Sequence, residues 1–138
     1  MSARHEELAT WLRAQIEVDR AAAREAMNAD DVMEENDPGV WRYVETPGGD
    51  RKVVNWLGDS ISGHYDLASS PWWTGPHIAL HDPATTLLDV DATLLIVGRC
   101  EDALADDDVM ASALALFMLW CLAARYASRP GFREEWRV

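Results

Sequence analysis

The stretch VMASALALFMLWCLAA, Val109 to Ala124, runs for sixteen residues without a charge. As an α-helix it covers about 24 Å, short of the roughly 30 Å of a bilayer's hydrocarbon and of the about 20 residues needed to cross it. Asp106, Asp107 and Asp108 precede it, and Arg125 and Arg129 follow. That order of charges suits the dipole of a helix in a water-soluble fold. The segment reads as a buried central helix, not a span, within a final helix over residues 107–128 that Pro130 ends. Because it is apolar nearly all round, it calls for neighbours on most sides, either inside the fold or across a homodimer interface.

Working outward, Asp82 is placed to cap a helix that Pro83 opens. Leu87, Val90, Leu94 and Val97 mark one face of that helix, Leu88 and Leu95 widen it, and its expected stop is near Gly98. Residues 99–108 form an acidic connector, with EDALADDD in part helical. At the other end, residues 3–29 repeat Leu8, Trp11, Leu12, Ile16, Ala23 and Met27 at helical spacing, capped by Ser2. An acidic connection over 28–38 follows, with six carboxylates and no basic residue between Glu25 and Asp37. VWRYVET, PGGD and RKVVNWLGD then spell a β-hairpin, with a short third strand near residues 60–65 making a three-stranded meander the alternative. Between there and a helical turn at residues 77–81, glycines, prolines and serines punctuate a packed loop. The expected fold is α+β in one domain, residues 1–138: a long N-terminal helix, a central hairpin or meander, and two C-terminal helices packed across it. The tail GFREEWRV can dock back through Phe132 and Trp136.

The 138 residues include 49% hydrophobic and 26% charged residues, the composition of a folded globular protein. Twelve basic against 24 acidic residues give a formal charge of -12. That balance argues against binding nucleic-acid phosphates or anionic lipid, and points to basic partners. The acidity reads either as solubility or as mimicry of nucleic-acid charge. Two cysteines, Cys100 and Cys121, provide no disulfide framework and read as reduced thiols. The N-terminus has no apolar signal core, so the expected location is the cytoplasm.

No nucleophile elbow, phosphate-binding glycine loop, dinucleotide fingerprint, CxxC pair or calcium loop occurs, and the balance leans away from an enzyme. The sharpest constellation is HIALHDP. On one helix, His77 and His81 at i, i+4 face the same way and can grip a metal such as zinc, with Asp82, His64 or Cys100 completing the set. Ile78 stands where a zinc protease would carry its glutamate, which removes the protease reading. The plainer role of the same histidines is hydrogen bonding at a helix junction. Of seven tryptophans, Trp41, Trp56, Trp72 and Trp73 fall in the middle third. They can line a pocket for a nucleotide-like ring or a protein surface, or fill a core.

At HIALHDPATTLL and LAARYASRPGFREEWRV the chain resembles an uncharacterised family of actinobacteria and their phages, catalogued as domain of unknown function 6221. The C-terminal pattern sits here on Tyr126, Pro130, Phe132, Arg133, Glu134, Glu135, Trp136 and Arg137. PGVWRY is similar to the family's lead-in to its extended region. Where many members look zinc-binding through a cysteine-rich stretch between the last two helices, this chain has only Cys100 and Cys121. The resemblance implies a cytoplasmic phage or prophage accessory protein and supplies no activity. The functional expectation is a non-enzymatic acidic binding protein that engages a host protein through its aromatic middle segment or acidic surface.

Overall fold

A computed structural model describes residues 3–30, 40–55, 58, 60, 74–106 and 108–138. The architecture is α+β and mostly helical. In order come helix α1 (Ala3–Asp30), strands β1 (Arg42–Glu45) and β2 (Arg51–Val54), helices α2 (Thr74–Leu80), α3 (Pro83–Ala105) and α4 (Val109–Ala124), and a 3-10 turn at Glu134–Trp136. The chain divides into two compact units: Met1–Asp19 with Val90–Val138, and Arg20–Asp89.

The first unit is helical. Leu8, Leu12 and Ile16 recur every four residues on α1 and are fully buried. They join a core cluster with Val90, Val97, Cys100 and Leu104 from α3 and Ala115, Leu119 and Ala123 from α4. Gly98 does not stop α3, although a mid-helix glycine costs about 1 kcal/mol against alanine. Cys100 and Leu104 prolong the buried face begun by Val90 and Val97, and the bidentate pair of Arg13 with Glu101, Nε to Oε1 at 3.1 Å, secures the added turns. Burial outweighs local propensity here. The helix continues to Ala105, so the expected acidic connector shrinks to the few residues before Val109.

Asp108 caps α4, its Oδ1 accepting from the amides of Met110 at 2.8 Å and Ala111 at 3.0 Å. Ser112 Oγ donates to the Ala103 carbonyl at 3.2 Å and closes the turn between α3 and α4. α4 ends at Ala124, four residues before the expected Ser128, because the amides of Arg125, Tyr126 and Ala127 bond three residues back instead of four. This tightened exit leads to Gly131, whose φ of +83° belongs to the left-handed region. A Cβ there would also fall 2.8 Å from Trp11 Nε1.

The tail docks. Trp11 Nε1 donates to the Pro130 carbonyl at 3.1 Å. Its ring lies 5.1 Å from that of Trp136 and 5.8 Å from that of Phe132, a three-ring cluster in which Trp136 is buried. Arg129 donates to the Gln15 carbonyl at 3.0 Å and pairs with Asp19, and Arg133 pairs with Glu7. Two cations of the tail thus meet two carboxylates of α1.

The second unit holds the hairpin. β1 and β2 pair antiparallel with Arg42 opposite Val54 and Glu45 opposite Arg51. The turn is closed by Gly49 N–H to Thr46 O at 2.8 Å, with Gly49 at a φ of +86°. Val53 and Val54 are buried, and α2 packs against both strands. Of the expected third strand, the described residues contribute one antiparallel bridge, Val54 to Ser60. Residues 61–65 lie outside the described residues, as does most of the acidic connection.

Candidate functional site

Three groups of residues carried the functional expectations, and the structure treats them differently. His77, near the end of α2, and His81, just beyond it, are exposed, with ring centroids 4.6 Å apart in an edge-to-face contact. Helical spacing brings them together as expected. Asp82 is buried, and its carboxylate is already engaged: Oδ1 accepts from Thr85 N–H at 2.6 Å and Oδ2 from Trp41 N–H at 3.2 Å. It caps α3 and ties the chain just before β1 to that cap. Cys100 belongs to the core of the helical unit, and His64 lies outside the described residues. Among the described residues no group of three or more His, Cys, Asp or Glu gathers.

Of the four middle tryptophans, Trp56, Trp72 and Trp73 lie outside the described residues. Trp41 is half-buried. With Tyr43, Val54, Pro76, Ala79 and Leu80 it lines an open groove of about 630 Å³ on the hairpin unit, beside Arg42.

The third feature is α4, whose sequence calls for neighbours on most sides, inside the fold or across a homodimer interface; in the structure one side of it is core and the other is surface. α4 buries Ala115, Leu119 and Ala123 and turns Met110, Leu114 and Phe117 outward, at 79%, 62% and 49% exposure. Cys121 is exposed on the same helix. From α3, Leu95 is 73% exposed and Ile96 also emerges. Between the two helices runs a groove of about 440 Å³ lined by Leu95, Ile96, Arg99, Cys100, Leu114 and Met118, with alanines completing it. Its one charged lining residue is Arg99. Cys100 lies at its buried side, where burial first and the neighbouring Glu101 charge second push the thiol's pKa above its ordinary value. Leu95, Ile96, Met110, Leu114, Phe117 and Met118 are all exposed on α3 and α4, a concentration of large apolar side chains of the kind that marks an interaction surface. The signal was present in the residue sizes. Alanines at 115 and 123 let the inner face approach α1 and α3, while the large side chains recur at 110, 114, 117 and 118.

A family match covers residues 5–138, carrying the description "Family of unknown function (DUF6221)". The chain belongs to this family. No curated protein and no solved structure matches it. The docked tail of this family member accounts for part of the C-terminal pattern in physical terms: Trp136 and Phe132 fill the cluster around Trp11, and Arg133 pairs with α1. Among the described residues no helix is long and apolar enough to cross a membrane.

Proposed function

We propose that this member of the family is a non-enzymatic binding protein that works through a protein interface on the α3–α4 face. The observation that supports the reading is the breadth and uniformity of that face. Small-molecule sites combine an apolar concavity with a few converging polar groups. This face is open and lined by apolar side chains, with Arg99 as its charged member. The formal charge of -12 favours a basic rim on any foreign partner. We place the protein in the cytoplasm, as an accessory factor of actinobacterial or phage origin.

The test pairs self-association with capture. Wild type and Leu114→Asp are compared by sedimentation, and each is immobilised to capture proteins from an actinobacterial lysate. We expect Leu114→Asp to lose either self-association or a partner retained by wild type at high salt. An unchanged mass together with an unchanged set of captured proteins would exclude the face.

A second reading is supported by the groove on the hairpin unit, whose volume of about 630 Å³ falls within the 300 to 1,000 Å³ of ordinary ligand pockets. Trp41 and Tyr43 offer aromatic faces for a nucleotide-like ring, with Arg42 beside them. Tryptophan fluorescence and melting temperature across a nucleotide panel decide it: a shift removed by Trp41→Ala supports it, and no shift ends it.

A further inference from the structure

We propose that the occupant of the α3–α4 face is a second copy of this chain, docked about a twofold axis that sets α4 antiparallel to its mate. The inference rests on reading that face as a protein interface. Its starting point is the spacing of the outward residues. Met110, Leu114, Phe117 and Cys121 follow at intervals of four, three and four and are all exposed. This is the seam by which paired helices interdigitate. A twofold axis through the middle of the seam sets Leu114 against the partner's Phe117 and Met110 against the partner's Cys121.

The same axis brings the ends of the helix into register. Asp106 stands just before α4 and Arg125 just after it, both exposed. Neither forms an ion pair with another described residue. Asp108 is taken up by the cap, and Asp106, counted along the chain, stands as far from the axis as the partner's Arg125 and is placed to meet it. Symmetry makes that pair occur twice. Antiparallel alignment also opposes the two helix dipoles favourably. An isologous contact needs one surface to be complementary to itself. A stripe that is apolar in the middle, acidic at one end and basic at the other meets that requirement under this rotation. The net charge of -12 on each chain opposes pairing at long range and is screened by salt, while the groove within the face carries only Arg99.

Sedimentation equilibrium of the full chain tests the pairing. Wild type should approach twice 15.4 kDa, and Leu114→Asp should sediment as a monomer. Arg125→Glu should raise the dimer's Kd about tenfold through two reversed pairs, and adding Asp106→Arg to the same chain should restore it. Thiol labelling of unmutated Cys121 gives an independent readout that needs no variant to fold: its rate should fall as protein concentration rises. A wild-type monomer at all concentrations, a dimer that survives Leu114→Asp, failed rescue by the charge swap, or labelling independent of concentration would each overturn the proposal. If wild type is monomeric, a lysate partner lost from Leu114→Asp preserves the interface reading without self-pairing. Absence of such a partner removes both.

Discussion

The two faces of α4 are made of the same kind of residue and meet different fates. Ala115, Leu119 and Ala123 are sealed against the core, whereas Leu114, only five residues from Leu119, is 62% exposed. The difference lies in what stands opposite each face. α1 and α3 supply Leu12, Ile16, Val97 and Cys100 to the buried cluster, and among the described residues of the helical unit the outer stripe keeps Met110, Leu114 and Phe117 exposed. Hydrophobicity of a helix therefore measures its demand for burial, and the arrangement of neighbours decides where that demand is met.

The contrast can be broken or sharpened by substitution. The largest effect is expected at the edge of the sealed side, where Trp136→Ala removes a buried ring from the Trp11 and Phe132 cluster and should cost about 3 to 5 kcal/mol. Leu119→Ala, on the inner face proper, should cost about 2 to 5 kcal/mol. Chemical denaturation checks both, and an unchanged midpoint for either would mean that the inner side is not the core. Gly131→Ala should cost about 1 to 3 kcal/mol, since the new Cβ meets strained backbone as well as Trp11.

The pH response probes the sealed side without mutation. Burial is the first cause that raises the pKa of Cys100 above its ordinary 9.0 and of Tyr126 above its ordinary 10.0. Both groups are neutral at lower pH, and the folded state holds its protons more tightly than the unfolded chain. Their contribution is fully present below those ordinary values and is lost as pH rises through the raised ones. Denaturation midpoints should be flat from neutral pH to about pH 8.5 and fall above about pH 9 to 10. A midpoint that holds steady through pH 11 would contradict the burial of these groups. The smallest effect is expected on the outer face. Leu114→Asp should change the stability of the monomer by no more than about 0.5 kcal/mol, as surface substitutions do. A loss comparable to that of Leu119→Ala at dilutions that keep the chain monomeric would erase the distinction between the faces.

Much of the fold was legible locally. The helical repeat of Leu8, Leu12 and Ile16, the PGGD turn and the Asp82 and Pro83 start of α3 each follow from chemistry within a few residues. The end of α3 was not legible, because Gly98 signals a stop while Cys100 and Leu104, through contacts far away in sequence, repay its cost. Of the site residues, the i, i+4 spacing correctly brought His77 and His81 together. It could not reveal that the Asp82 carboxylate is taken up by Thr85 and by Trp41, 41 positions away.

What the sequence by itself determined is which segments form the helices and the hairpin, since caps, turns and periodicity act over a handful of bonds. It also set the acidity, which is a sum and needs no geometry. Only the tertiary structure decided which side of α4 is core and which is surface. Burial is a relation between distant segments, and a stripe of apolar residues reads the same whether a neighbour covers it or not.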